Sequence, residues 1–320
     1  MFRRSSARSD EVLFRSGTGA FALLLIAVVG AIAVVLLRES QLSIRHFGWQ
    51  FWQTDVWDPV AGEFGARPFI WGTLYSSVLA LMISTPIALG IAIYISELAP
   101  VWLQRPLVFL TELLAAIPSI VYGLWGIFVL VPKVRQLEAA TPEWLQAVPL
   151  FAGPPLGVGM LSAALILSTM VIPFSSSVAR EVLKAVPPSQ REGAYALGAT
   201  RWEAIRMALF YARTGIVGAV MLGFGRALGE TMAVTMVIGN SPQITASLFA
   251  PQYTMAAVLA NEFAEAAEDL YLHALVEIGL VLFIITLIVN SLSRLLIWSM
   301  RPRAYRASSR RQAAAEPAPV

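Results

Sequence analysis

Long apolar runs separated by shorter polar stretches form the hydropathy pattern of this chain. Residues 20–37 are an unbroken apolar run of 18 residues, and five further long apolar runs follow it. About 20 apolar residues in a helix span the hydrocarbon core of a bilayer. The pattern therefore predicts six transmembrane helices, over residues 20–37, 69–95, 107–131, 156–177, 215–239 and 274–298.

The two ends of the chain are polar and basic. Four arginines lie in residues 1–19, ahead of the first apolar run. That run is longer than the apolar part of a usual signal peptide, and no small-residue cleavage site follows it. We therefore interpret it as an uncleaved transmembrane helix. Residues 299–320 are predicted to be a disordered tail, because they contain few residues that build a core.

The segments between the apolar runs differ in composition. Residues 132–155 contain five prolines, which predicts a loop. Residues 240–272 are acidic, and within them residues 254–270 favour an amphipathic helix on the outer surface. Residues 38–68 contain three tryptophans, Trp49, Trp52 and Trp57. Tryptophan prefers the membrane–water interface, so this loop is predicted to lie along it.

The basic residues predict which side of the membrane each segment faces. With both termini in the cytoplasm, 17 of the 23 Lys and Arg residues fall in cytoplasmic segments, when Arg294 near the end of the sixth predicted helix is counted with the C-terminal segment, and 5 fall in outer segments. The remaining one, Arg226, lies inside the fifth predicted helix. Cytoplasmic loops of membrane proteins carry an excess of Lys and Arg, so this orientation is favoured.

Composition narrows the function classes. The chain has 320 residues, 57% hydrophobic and 13% charged, whereas a soluble domain has about 25% charged residues. It contains no cysteine and only two histidines, His46 and His273, so disulfides and Cys or His metal sites are not expected. The basic residues lie beside apolar runs, which favours contact with membrane lipid and no nucleic-acid partner.

Residues 186–211 form a charged elbow between the fourth and fifth apolar runs. Ser189 with Glu192, and Thr200 with Glu203, have the spacing of a capping box at a helix start. Gly198 between them suits the left-handed residue that ends a helix. The pattern predicts two short helices around a glycine turn, which is either a docking surface or an ordinary connection between membrane helices.

The fifth apolar run contains two ionisable residues, Arg226 and Glu230. Charges inside a membrane are costly and usually line a transport route. A structural alternative stays open, because residues four apart share a helix face and can pair with each other. Gly225 and Gly229 have the same spacing, which favours close helix packing.

Several motifs of other function classes are missing from the sequence. The chain contains no G-x-x-x-x-G-K-[ST], so ATP, if it is used, binds to another polypeptide. Gly223, Gly225 and Gly229 miss the dinucleotide-binding spacing by one residue. No set of residues typical of an intramembrane enzyme stands out. A self-sufficient secondary transporter or channel remains an alternative, but no clear internal repeat supports it.

The elbow resembles the "EAA" loop of ABC importer permeases. Glu192, Ala194 and Gly198 match that motif, whereas Gly193 replaces its first alanine and Tyr211 stands where the motif ends in proline. The resemblance implies that the elbow inserts into a cleft of an ATPase subunit and couples ATP hydrolysis to transport. It also implies an all-α fold, that of a type I ABC importer permease with six transmembrane helices.

Two further stretches, AAIPSIVYGLWG (115–126) and GRALGETMAVTMVIGN (225–240), resemble the PstC family of phosphate importer permeases. The resemblance covers about residues 70–298, so we expect a permease core over 69–298 after a first helix and outer loop over 20–68. It implies a non-catalytic bacterial inner-membrane subunit without its own cofactor. The implied partners are a PstA-like second permease, a PstB-like ATPase dimer and a periplasmic phosphate-binding protein. Import of sulfate or molybdate is the alternative.

The resemblance also makes Arg226 and Glu230 the charged residues of the transport path. A guanidinium can hold two phosphate oxygens at once. We hypothesise that Glu230 holds Arg226 in place, or accepts a hydrogen bond from the P–OH group that sulfate lacks at neutral pH.

The remaining candidates are less specific. Pro86 and Pro118 interrupt apolar runs and are possible hinges. Glu112 and Glu277 are predicted to mark pairing or interface positions, and His273 is predicted to lie at the membrane interface.

Overall fold

The computed structural model describes residues 3–300, with side chains from Phe14 onward, and it is almost entirely helical. Residues 301–320, most of the tail that is predicted to be disordered, lie outside the described residues. A short hairpin pairs β1 (Trp57–Asp58) with β2 (Glu63–Phe64). The helices are α1 (Arg3–Glu39), α2 (Gln41–Phe47), α3 (Arg67–Ile93), α4 (Val101–Ala116), α5 (Ser119–Trp125), α6 (Val131–Ala139), α7 (Glu143–Gln146), α8 (Met160–Lys184), α9 (Pro188–Ala196), α10 (Arg201–Leu228), α11 (Met232–Thr235), α12 (Met255–Glu262) and α13 (Asp269–Ser299).

Within residues 3–300, six helical stretches are long and apolar enough to cross a membrane. They are Phe14–Glu39, Arg67–Leu98, Ser119–Ala139, Met160–Lys184, Arg201–Leu228 and Asp269–Ser299. The predicted number of transmembrane helices and the all-α class are therefore confirmed. Several predicted boundaries are wrong, and most of the errors follow from prolines, glycines and helix caps.

The first predicted boundary to move is that of the N-terminal tail. Helix α1 begins at Arg3, so residues 3–19 continue the first membrane helix instead of forming a separate tail. No proline interrupts this stretch, and Gly17 and Gly19 alone do not end the helix.

The third predicted span, 107–131, is divided at Pro118. Helix α4 ends at Ala116, and Ile117 before the proline is extended, with φ −65° and ψ 129°. Proline disfavours helical backbone in the residue before it and has no N–H to donate. The membrane-crossing stretch is therefore 119–139, and it includes Pro132 in the first turn of α6. The predicted loop at 132–155 consequently begins only at residue 140.

The fifth predicted span, 215–239, is wrong at both ends. Helix α10 begins at Arg201, because the cap at Thr200 starts one continuous helix that runs from the elbow into the membrane. It ends at Leu228, with Gly229 as the C-cap residue. Only the short helix α11 follows, so Arg226 lies in the last turn of α10 and Glu230 lies outside it.

Residues 254–270 do not form the amphipathic surface helix that their sequence favours. Only Met255–Glu262 and the first two residues of α13 are helical, and the first turn of the former helix, α12, is buried between α3 and α13. The N–H of Met255 donates to Oγ1 of Thr73 in α3 at 2.9 Å. The acidic residues that follow give the segment its polar character without making it a separate surface helix.

Helix α8 lies at the centre of the bundle. In its most apolar stretch 61% of the residues are buried, against 33% or less in each of the other five membrane-length helices. It packs mainly against α3 and α10. Small residues allow the approach of α10, because a Cβ added at Gly215 would lie 2.5 Å from Cγ1 of Val182.

A second core of aromatic residues covers the end of the bundle that lies away from the elbow. Trp57 packs against Phe64 and Phe69 at centroid distances of 4.9 and 4.8 Å. Its Nε1 donates to Glu262 at 2.8 Å, and the Tyr271 hydroxyl donates to the same carboxylate oxygen at 2.7 Å. These contacts fix the 48–66 loop onto α12 and α13, so Trp57 has a packing role, whereas Trp49 is exposed.

The contact between α8 and α10 gives a matched pair of substitutions. Gly215→Ala should lower the free energy of unfolding by about 1–3 kcal/mol, because two methyl groups of the stiff Val182 side chain occupy the space. Gly218→Ala is the control, because its nearest neighbour, Cδ1 of Ile297, is 3.7 Å away. Thermal unfolding in detergent measures both, and equal melting temperatures would contradict the packing described here.

Candidate functional site

The elbow contains the two helices that its sequence predicts, but the first begins differently. Helix α9 starts at Pro188 with Pro187 as its N-cap residue, and no side chain caps it. The predicted capping box of Ser189 and Glu192 is therefore wrong. Proline suits the first helical position because its φ is fixed near the helical value and its missing N–H needs no partner there.

The turn and the second cap of the elbow are confirmed. Gly198 has φ +80°, in the left-handed region, and the N–H of Ala199 donates to the Ala194 carbonyl at 3.0 Å. The N–H of Thr200 donates to Oε2 of Glu203 at 2.7 Å, and Oγ1 of Thr200 accepts from the N–H of Glu203. These two bonds form a capping box, and the Thr200 hydroxyl also donates to Oε2 of Glu203 at 2.8 Å.

The exposed side of the elbow carries large apolar side chains. The side chain of Leu197 is 90% exposed, that of Trp202 is 63% exposed and that of Tyr195 is 50% exposed. Glu192 is exposed beside them and lines a shallow cavity together with Glu97 and Arg191. Leu197 and Tyr195 lie between two membrane-length helices, and exposed apolar side chains clustered there are typical of a protein contact surface.

The other side of the elbow is attached to the end of α3 by an ion pair. Nη2 and Nε of Arg191 donate to the two carboxylate oxygens of Glu97 at 2.5 and 3.2 Å. The two side chains are only 23% and 9% exposed. Sequence reasoning missed this pair, since 94 residues separate its members. The one available signal was an acidic residue placed at the end of an apolar run.

Arg226 lies beside the middle of the central helix. Its guanidinium carbon is 5.8 Å from the ring centroid of Phe174, the fifteenth of the 25 residues of α8. At 1.5 Å per residue, Phe174 is about 21 Å from the first residue of that helix. Arg226 is nevertheless exposed on the surface of this chain. Its position therefore combines mid-membrane depth with an open side.

The predicted pairing of Arg226 with Glu230 is not formed. No ion pair joins them within residues 14–300, where side chains are described, because α10 ends at Leu228 and the two residues no longer share a helix face. Glu230 is half-buried just beyond the helix end. The purely structural explanation for these two charges loses its main support.

Gly225 and Gly229 do not form the close helix contact that their spacing favours within this chain. A Cβ added at Gly225 would lie 3.6 Å from Oδ1 of Asn290, and one at Gly229 would lie 3.9 Å from a backbone oxygen. Both are ordinary contact distances. The tight glycine on this part of α10 is Gly223, which packs against Val171 and Ser175 of α8.

The two stretches that carry the phosphate-permease resemblance pack against each other. A Cβ added at Gly123 would lie 3.2 Å from the Cα of Ala233, and one at Gly126 would lie 2.8 Å from Cγ1 of Val237. Stretch 115–126 thus lies against the 232–238 part of the second stretch. Tyr122 joins α5 to α4 through a hydrogen bond from its hydroxyl to the Leu114 carbonyl at 2.8 Å.

The minor candidates are mostly explained by contacts. Glu112 approaches Nη2 of Arg180 at 3.7 Å, as predicted for a pairing position. Glu277 is 2% exposed beside Ser43, which makes it an interface position between α13 and α2. His273 contacts the backbone carbonyl of Glu39 through Nδ1. Helix α3 continues through Pro86, so a hinge there stays a prediction.

Comparison with known proteins places this geometry in a family. Residues 84–302 match the model of the binding-protein-dependent transport system inner membrane component. The chain belongs to this family of transport permeases. The permease is therefore a transport subunit and a multi-pass inner-membrane protein, as predicted.

Its relatives cover almost the whole chain. The permease is 48% identical over 297 residues to the phosphate transport system permease protein PstC of Haemophilus influenzae, covering 91% of this chain and 94% of the relative. It is 43% identical over 299 residues to the PstC protein of Mesorhizobium japonicum, covering 92% and 91%. The predicted resemblance to the PstC family is confirmed.

Solved structures support the fold. A chain of the MetNI methionine ABC transporter superposes with a TM-score of 0.55 at 16% identity, covering 73% of the permease and 94% of that chain. A second crystal form gives 0.55 at 14% identity, covering 77% and 100%. The predicted ABC importer permease architecture is thus confirmed at the level of the fold.

The capping box at Thr200 is directly testable. Thr200→Ala should cost the first turn of α10 about 1 kcal/mol, because the N–H of Glu203 loses its acceptor. Hydrogen exchange of the first-turn amides measures the loss, and Thr200→Ser, which keeps the hydroxyl, should restore protection. Equal exchange in Thr200→Ala and the parent chain would contradict this.

Proposed function

We propose that this permease conducts inorganic phosphate from the periplasm to the cytoplasm as one membrane subunit of an ATP-driven importer. The names of its relatives supply the substrate: proteins 48% and 43% identical to it are phosphate transport system permeases. The observation that carries the proposal is the position of Arg226, at mid-membrane depth and on an open face of the chain.

A permanent positive charge at that depth needs water, an anion or another protein beside it. Insertion of an arginine at the centre of a membrane helix costs about 2.5–3.5 kcal/mol on translocon scales. Within residues 14–300, no carboxylate forms an ion pair with Arg226. The charge is therefore available for a substrate anion in a water-filled path, and a second, PstA-like permease forms the other wall of that path.

Arg226 and Glu230 have complementary tasks in this path. The planar guanidinium of Arg226 holds two phosphate oxygens and offsets the cost of moving the anion into a medium of low dielectric. Glu230 accepts a hydrogen bond from the P–OH group of phosphate. Sulfate has no such proton at neutral pH, so it would leave this acceptor unpaired. Import of another oxyanion is the second candidate function. The hydrogen bond to Glu230 favours phosphate over it, because sulfate lacks the P–OH proton.

The energy for transport comes from a separate subunit in this proposal. The sequence lacks the Walker A motif, and the elbow presents Leu197, Tyr195 and Trp202 toward the solvent. A PstB-like ATPase dimer docks on this surface and binds the ATP, so the permease itself is not catalytic. A periplasmic phosphate-binding protein delivers the ion at the opposite end. The excess of Lys and Arg in the elbow and terminal segments supports cytoplasmic placement of both termini.

The roles of Arg226 and Glu230 in the path are tested by substitution. Glu230→Gln should reduce the preference for phosphate over sulfate by about tenfold or more, because an amide can donate a hydrogen bond where the carboxylate only accepts one. Arg226→Lys should reduce phosphate uptake, because an ammonium cannot hold two oxygens in the same geometry. Uptake of labelled phosphate and sulfate into proteoliposomes holding the full importer measures both. Unchanged uptake and preference in Glu230→Gln would contradict the role of this residue.

ATPase docking is tested at the most exposed residue of the elbow. Leu197→Glu should abolish co-purification of the ATPase, because it places a charge in an apolar contact, while the permease still folds since Leu197 packs little against its own chain. Gly198→Val should weaken docking by straining the left-handed turn. Gly198→Asn, which tolerates this backbone, and Gly193→Ala, which has open space, are the controls. Normal ATPase association with Leu197→Glu and Gly198→Val would argue against docking at the elbow.

A further inference from the structure

Arg191 connects three parts of the inner end of the molecule. Besides its two bonds to Glu97, it donates from Nη1 to the Val186 carbonyl at 2.9 Å and from Nη2 to the Leu183 carbonyl at 3.0 Å. Leu183 lies in the last turn of α8, and Val186 lies in the link to α9. One guanidinium thus holds the elbow helix, the end of α8 and the end of α3 together.

Glu97 is held from both helices of the elbow. Its carboxylate pairs with Arg191 of α9, and its backbone carbonyl accepts from Nη2 of Arg201, the first residue of α10, at 2.7 Å. It lies in a π-helical turn, Tyr94–Leu98, in which the N–H of Ala99 donates to the Tyr94 carbonyl at 2.7 Å. This turn ends α3, so forces on either elbow helix reach α3 at the same residue.

The apolar packing at this junction is not directional. The buried cluster around it consists largely of alanines, among them Ala92, Ala179 and Ala208, together with Leu183 and Val186. Larger apolar side chains of α3, α8 and α10 pack against this cluster but are only partly buried. Alanine methyl groups give few dispersion contacts and can slide past one another. A bidentate ion pair is directional and charge-assisted, so it fixes the relative position of α3 and the elbow more firmly than these contacts do.

Helix α3 extends from this junction to the outer end of the bundle. It has 27 residues, which corresponds to about 40 Å. At its outer end, Trp71 and Tyr75 donate to the carbonyls of Thr245 and Ala246 at 3.0 and 2.8 Å. These carbonyls lie in residues 236–254, the segment that joins α11 to α12. Helix α3 therefore joins the elbow to the outer segment that follows the proposed substrate path.

We propose that the Glu97–Arg191 pair is the joint through which the elbow moves α3 during the transport cycle. Both are positioning residues, since neither lies at the proposed substrate path. When the ATPase displaces the elbow, the ion pair carries that displacement into α3, and α3 carries it to the outer segment. The inference rests on the proposed function in one respect: the elbow must be the site at which the ATPase acts.

The first experiment separates a joint from a contact that merely stabilises the fold. Glu97→Gln keeps the shape of the side chain and removes its charge. In proteoliposomes holding the full importer, the ATPase should remain bound and hydrolyse ATP, while phosphate transported per ATP falls by about tenfold or more. Asp55→Asn, which breaks the half-exposed Asp55–Arg67 pair at the outer end, is the control and should change nothing. A parallel loss of hydrolysis and transport, or no loss in either, overturns the proposal.

The second experiment restores the connection by covalent means. The chain contains no cysteine, so Glu97→Cys with Arg191→Cys introduces the only two thiols of this subunit. The double variant should be uncoupled, and a short bifunctional thiosulfonate cross-linker should restore phosphate transported per ATP until a reductant cleaves it. The parent importer treated in the same way controls for thiols of the other subunits. Failure of the cross-link to restore coupling means that the pair has to open during the cycle, which overturns the proposal.

The two proposals fail in different measurements. If the ATPase binds Leu197→Glu as it binds the parent chain, docking at the elbow is wrong. If Leu197→Glu loses the ATPase but Glu97→Gln keeps its full coupling ratio, docking is right and the joint is wrong.

Discussion

Backbone N–H and carbonyl groups inside a bilayer need hydrogen-bond partners within the protein, because the hydrocarbon core holds no water. This constraint determines which backbone conformations the chain can adopt there. Helices meet it by themselves, since each N–H bonds to a carbonyl one turn away. The extended segment after α11 meets it through neighbouring protein: Met160 and Leu161 donate to the carbonyls of Ala250 and Leu248. Side chains of α3 donate to two further carbonyls of the same segment. Extended backbone is therefore found where α3 and α8 cover it.

A similar constraint sorts the charged side chains into two groups. Arg191 and Arg180 have carboxylate partners within the chain, at 2.5 Å and 2.7 Å respectively. Arg226, at mid-membrane depth, has none within the described residues. An arginine that is paired with a carboxylate of its own chain stabilises a contact. An arginine without such a partner needs water, an anion or another protein beside it. This difference, more than the presence of a charge in a membrane helix, supports the proposal that Arg226 meets a substrate anion.

Hydropathy alone predicts the number of membrane helices and the fold class, because a run of about 20 apolar residues has one stable arrangement in a bilayer. It does not predict where helices end, because those ends depend on local competition. Pro118 divides one apolar run, and the cap at Thr200 extends α10 far beyond its apolar part. The false Arg226–Glu230 pair follows from the same error, since it assumed a helix that continues past Leu228. The Glu97–Arg191 pair was beyond prediction, because no periodic pattern links residues so far apart in the chain.

Close packing of small residues determines where the open charge lies. Gly123 and Gly126 let α5 and the following turn approach α11, and Gly223 lets the end of α10 approach α8. A side chain at any of these positions would push α10 or α11 away from the bundle and would move Arg226 with it. Gly123, Gly126 and Gly223 thus have a physical role that is separate from backbone flexibility. The close contact at Gly223 brings the charged end of α10 against the middle of α8. In the proposed path, an anion at this depth has lost most of its hydration and needs a positive charge most.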